Sequence, residues 1–138
     1  MLPKWHVIYG AIFSIFTFYL FDLSYFQAML IFLSSVFIDV DHYFWFIQKK
    51  QSFNLREAYI YHKNLPRDHK PIMQIFHSAE FLTMVLILSF FWNVLFFILI
   101  GMIFHSILDI IEMSSRNRIN SREFSFLRYL ARDKSNYL

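Results

Sequence analysis

The sequence predicts an all-α, polytopic membrane protein with four transmembrane helices arranged as two antiparallel hairpins. Three observations carry that reading. Of 138 residues, 57% are hydrophobic, 22% aromatic and only 17% charged, a balance suited to lipid rather than water. Apolar runs cover 5–21, 25–47 and 72–113, and the last is long enough to cross a hydrocarbon core of about 30 Å twice. Finally, all 13 Lys and Arg fall before the first run, between the second and third, or after the last.

The first run, 5–21, follows Pro3-Lys4 and stops at Asp22. A cleaved signal peptide is the competing reading, but Phe and Tyr are dense throughout and no small-x-small site follows. The connection Asp22-Leu23-Ser24 is so short that the second span, 25–47, must return antiparallel. Composition then turns polar over 48–71. Within it Asn54 and Glu57 have the spacing of a capping box and predict a short helix over 55–62, with Tyr59 and Tyr61 suited to an interface. Pro66 and Pro71 end it. Ser89-Phe90-Phe91-Trp92-Asn93 reads as a turn dividing the long run into spans 72–91 and 94–113, with Trp92 as interfacial anchor. One very long tilted helix is the alternative. In the basic tail, 114–138, Ser121 is placed to cap an amphipathic helix through residue 131, with Phe124, Leu127 and Leu130 on one face.

The chain thus divides into a transmembrane domain, 1–113, and a tail, 114–138. The positive-inside rule puts both termini, the loop 48–71 and the tail in the cytoplasm of a multi-pass cell-membrane protein. The charge of +3 is then an orientation and anionic-lipid signal rather than a nucleic-acid footprint. Two Gly leave no glycine-rich phosphate cradle, and the absence of Cys removes thiol chemistry, disulfides and Cys-type zinc sites.

Ionised groups at membrane depth cost about 2.5–3.5 kcal/mol each, so they need partners. Asp39-Val40-Asp41-His42 puts two carboxylates and an imidazole near the end of the second span. The topology brings Asp39, Glu80 and His105 to one depth, with His77, Asp109 and His6 nearer the cytoplasmic face. His77 and Glu80 share a face at i,i+3, and His105 and Asp109 at i,i+4, with Gly101 one turn earlier allowing close helix approach. Asp39 and His42 share a face, whereas Asp41 lies about 200° around from Asp39. Either the helix loosens there or one aspartate serves the site and the other a helix partner.

Such His, Asp and Glu donors from facing helices are what a bundle-core metal site requires. The candidate ligands are His6, Asp39, Asp41, His42, His77, Glu80, His105 and Asp109, with Glu80 and Asp41 the candidates for catalysis. The ion is divalent, with zinc the first expectation and manganese or iron the alternatives. The donor surplus suits two ions, or one ion with outer carboxylates and a general base. His62 and His69, in the polar loop, are expected in solvent, and Arg67 and Lys70 near the mouth are suited to attract an anionic head group. Competing readings are a non-catalytic metal or proton carrier and a small scaffold whose polar residues fix helix packing. Against the carrier, the outer halves of the spans hold no charge.

Asp39-Val40-Asp41-His42, His77-Ser78 and Gly101-Met102-Ile103-Phe104-His105-Ser106-Ile107-Leu108-Asp109, with the early His6, resemble the YdjM-like inner-membrane proteins, a family described as metal-dependent hydrolases. The resemblance covers roughly 5–109. The family pattern runs as an early His, Asp-x-Asp-His at the end of a span, His-Arg-Gly-x-x-His-Ser, and a Gly followed by His-x-x-x-Asp. This chain has no Pro before Asp39, and its middle motif reads His69-Lys70-Pro71 with His77 further on. The resemblance implies a metal enzyme. Together with the candidate donors it leads to the expectation of a hydrolase acting on an ester or phosphoester, of a lipid or prenyl substrate, in contact with membrane lipids and without nucleic acid. A homodimer is left open.

Overall fold

Proline suits the first turn of a helix, where its missing N–H would be unpaired anyway, and α1 (Pro3–Leu20) begins on Pro3. The computed structural model describes residues 3–65, 71–117, 119 and 122–131. Helix α1 ends where Asp22 takes a left-handed conformation, φ 48°, and the Leu23 amide returns to the Phe18 carbonyl at 3.1 Å. Ser24 then opens α2 (Tyr25–Phe37) with a reciprocal capping box, its hydroxyl accepting from the Gln27 amide while the Gln27 side chain accepts from its own. The turn between them is as tight as the sequence requires.

The second apolar run is broken at Ile38–Asp39 and resumes as α3 (Val40–Lys50). No Pro or Gly marks the break. Ser34 and Ser35 just before it donate to the carbonyls of Ile31 and Phe32, a back-bonding pattern that bends helices. Gln51 stops α3 in the left-handed region, with Lys49 and Lys50 in the favourable last turn. Asn54 caps α4 (Leu55–Lys63) as expected, accepting from the amides of Arg56 and Glu57. The other half of the expected box differs, since the Glu57 carboxylate takes the Ser52 hydroxyl at 2.8 Å.

Over the expected third span, 72–91, the α-helix is shorter than the sequence predicts. Ile72–Met73 form a strand, β1, and Ile75–His77 a 3-10 turn. Only Ala79–Ser89 is α-helix, α5, capped by Ser78. Its 11 residues extend about 16 Å, half a bilayer core. After the expected turn comes α6 (Asn93–Ser115). The tail returns as a strand, β2 (Arg122–Glu123), pairing parallel with β1 so that Ile72 faces Arg122, and continues into α7 (Phe126–Ala131). Ser125 caps α7, with its hydroxyl accepting from the Arg128 amide. Ser121, the expected cap, lies outside the described residues, as do Arg67, His69 and Lys70.

Two stretches are long and apolar enough to cross a membrane, Tyr25–Lys50 and Asn93–Ser115. They also form the spine of the fold. Helix α2 packs between α1 and α6, and α6 between α2 and α5. The only two glycines sit on these contacts: a methyl group at Gly101 would strike the Ile31 carbonyl and the Ser34 hydroxyl, and one at Gly10 the Ser35 hydroxyl. Ile31, Phe46, Leu99 and Met102 fill the interior. Large apolar side chains such as Ile12, Ile15, Phe16, Phe90 and Phe91 are exposed.

Candidate metal centre

The break in the second helical run, the 3-10 turn and one face of α6 converge. Asp39 sits at the break, His77 ends the 3-10 turn, and His105 and Asp109 lie one turn apart on α6. Each offers a ligand atom within 4.8 Å of the others. His105 Nε2 is 3.2 Å from Asp39 Oδ1 and 3.5 Å from Asp109 Oδ2, and His77 Nε2 is 3.7 and 3.8 Å from the same two oxygens. Both imidazoles therefore aim at one pair of carboxylate oxygens. His77, His105 and Asp109 are buried, while Asp39 keeps 22% of its side chain exposed and opens the cluster to one side.

The far ring nitrogens fix the tautomers. His105 Nδ1 is 2.7 Å from the Ser35 carbonyl, which can only accept, so Nδ1 carries a proton and, in the neutral ring, Nε2 holds the lone pair. His77 Nδ1 is held in the same way by Asp41 Oδ2 at 3.1 Å, and that oxygen also accepts from the Phe76 amide. This is the carboxylate–histidine arrangement that orients metal-binding imidazoles. Asp39 and Asp41 thus divide the work: the first lines the cluster, and the second holds His77 in position behind it.

The inward Nε2 atoms of His77 and His105 are buried and make no hydrogen bond among the described residues. In neutral rings these two lone pairs face carboxylate oxygens, and a proton or a cation between them relieves the repulsion. Comparison with protein-family models, with curated proteins and with solved structures finds no match. Asp39, His77, His105 and Asp109 lie close together and could bind a metal ion.

His6 adds a donor on the other side. Its ring is buried and stacks on His105 with centroids 4.0 Å apart. Its Nε2 is 3.2 Å from Asp109 Oδ1 and 3.8 Å from Asp39 Oδ2. Each of the two carboxylates thus turns one oxygen toward His77 and His105 and the other toward His6. His42 borders the open side, with Nε2 3.3 Å from Asp39 Oδ1 and the Gln74 amide nitrogen within 2.8 Å of both ring nitrogens. His62, expected in solvent, is half-buried instead and meets the His42 carbonyl through Nε2 at 3.0 Å. Burial pushes its imidazole below the ordinary value, and the neighbouring His42 adds to the shift.

Glu80 does not join the cluster. Ser78 at ψ 148° separates the 3-10 turn from α5, so residues 77 and 80 are not on one continuous helix and the i,i+3 relation fails. The Glu80 carboxylate instead accepts from the Ser125 hydroxyl at 2.6 Å and from the amides of Phe126 and Leu127, tying the start of α7 to α5. The sequence reading missed Arg122, whose guanidinium is 2.7 Å from Asp109 Oδ2 with 8% of its side chain exposed. Nothing in its local sequence separates it from the other tail arginines. Only the β1–β2 pairing brings it in.

Proposed function

We propose that the chain is a membrane-embedded, metal-dependent hydrolase acting on an ester or phosphoester of a lipid or prenyl substrate. In this reading it is multi-pass, with both termini and the metal centre on the cytoplasmic side. The observation that carries the proposal is the pair of buried, unbonded Nε2 atoms of His77 and His105, each locked by its opposite nitrogen and aimed at the same two carboxylate oxygens. A polar network that merely fixed helix register would satisfy these groups with hydrogen bonds. The apolar exterior of α1 and of the 90–92 turn supports the membrane setting, and the resemblance to the YdjM-like proteins supports the reaction class.

Asp39, His77, His105 and Asp109 would hold a first ion, and His6, beside the same two aspartates, would be a donor to a second. A bound divalent cation supplies Lewis acidity and lowers the pKa of water toward about 7. The chain's own groups do the rest. Asp41 keeps His77 in the tautomer that leaves Nε2 free. His42, with 28% of its side chain exposed beside Asp39, is placed to take a proton on the open side. Glu80, engaged at α7, has no part in this scheme.

Elemental mass spectrometry of the detergent-purified chain, dialysed against metal-free buffer, tests the reading. Wild type is expected to retain near-stoichiometric zinc, manganese or iron, one equivalent for the first donor set or two for both. Asp39→Ala and His105→Ala are expected to lose most of it, together with hydrolysis of ester and phosphoester substrates. Variants that keep metal and activity would show the site to be misassigned. Wild type that stays empty even after reloading with zinc and manganese would favour the packing network.

A further inference from the structure

We infer that Arg122 is the anion-recognition residue of this centre and that the reacting group is a phosphoester rather than a neutral carboxylic ester; the inference rests on the metal-centre reading above. The guanidinium is nearly buried and touches the oxygen, Asp109 Oδ2, that also faces the His77 and His105 nitrogens. Its backbone is held with unusual care for a tail residue. Arg122 pairs with Ile72 across the parallel strands, the Ala79 amide donates to the Phe124 carbonyl at 2.9 Å, and Glu80 binds the start of α7. These ties anchor the tail beside the cluster on a folded element rather than a loose arm.

A plain counter-charge to Asp109 would account for the contact in a metal-free chain. It fits less well once a cation draws on the same oxygen. With an ion on Asp109, one carboxylate oxygen serves two cations in a buried place, and a further anion between them lowers their mutual repulsion. The guanidinium has five N–H donors in a planar fork. Among the described residues it spends one contact on Asp109. A phosphoryl group offers separate oxygens to the ion and to the fork, the geometry Arg recognises through two parallel bonds. A neutral ester has a single carbonyl oxygen and no charge to place between them. In the hydrolysis so assigned, the water oxygen bonds to phosphorus and the P–O bond to the alcohol breaks. The alcohol leaves with one of the water protons, the other passing to phosphate or solvent.

The test compares wild type, Arg122→Gln and Arg122→Lys as full-length, metal-loaded chains in detergent, with metal content and inorganic phosphate affinity measured on the same samples. The expected result is phosphate binding by wild type, weakened at least about tenfold in Arg122→Gln and partly restored in Arg122→Lys, with metal content retained in all three. A matched panel should show hydrolysis of a phosphodiester such as bis-p-nitrophenyl phosphate, inhibited by phosphate, with p-nitrophenyl butyrate a poor substrate. Metal-loaded protein whose phosphate affinity is the same in all three chains, or which prefers the butyrate, overturns the role of Arg122 and leaves the metal centre standing. If Arg122→Gln and Arg122→Lys weaken phosphate binding equally, the fork is structural and the assignment fails. Wild type that holds no metal overturns both.

Discussion

Asp41 is bonded to His77 Nδ1 and not to the rest of the cluster, so its contribution is separable from that of a ligand. Replacing it with Asn keeps a similar shape but removes the charge that makes the imidazole a better donor. Asp41→Asn is expected to weaken metal binding by about 10- to 100-fold while the number of ions bound at saturation stays the same. Competition against a chelator of known affinity measures this, and an unchanged midpoint would mean that Asp41 serves only packing. The four clustered donors were all legible in the sequence, because apolar surroundings make an ionisable residue conspicuous and helical rise converts position into depth. Their division of labour was not. Asp39 and Asp41 differ in what they face because the helix breaks at Ile38–Asp39, and Glu80 is lost to the cluster because Ser78 interrupts the helix its pairing with His77 required.

At the level of elements, the site depends on α2 lying close to both α1 and α6. The Ser35 carbonyl, near the end of α2, fixes His105 on α6, and Gly10 of α1 presses against the same serine. The two glycine contacts differ in kind. At Gly101 an added methyl group meets backbone, the Ile31 carbonyl, which cannot turn aside; at Gly10 it meets chiefly a serine hydroxyl, which can rotate. Gly101→Ala is therefore expected to destabilise the fold by about 1–3 kcal/mol and Gly10→Ala by less, read as a larger fall in the thermal midpoint in detergent for the first. Equal midpoints for Gly101→Ala and wild type would show that α2 and α6 are not in close contact. The helix ends at 20–25 and 89–93 were readable from turn residues, and the Asn54 cap from its spacing. The 72–78 segment was not, since its strand and 3-10 turn are made by distant partners: β2 pairs with Ile72–Met73, and the Phe76 amide donates to Asp41.

For the molecule as a whole, the short α5 bears on how the chain would sit in a bilayer. Non-helical backbone is tolerated at membrane depth only where protein covers it and satisfies its polar groups. The 72–78 segment is covered in this way, by β2 and by Asp41, so the proposed crossing from the basic loop to the 90–92 turn can combine that segment with the 11 residues of α5. Sidedness can be read directly because the chain has no cysteine. Single cysteines in place of Phe21 and Phe91, exposed at the two hairpin turns, and of Lys49, exposed at the end of α3, report on the two faces. With a membrane-impermeant maleimide, Phe21→Cys and Phe91→Cys are expected to label in intact cells, and Lys49→Cys only after permeabilisation. Labelling of Phe21→Cys alone would leave the first hairpin crossing and make the second re-entrant from the cytoplasmic side. Identical labelling of all three would remove the two-hairpin topology, and with it the reason for placing the His/Asp cluster inside a membrane.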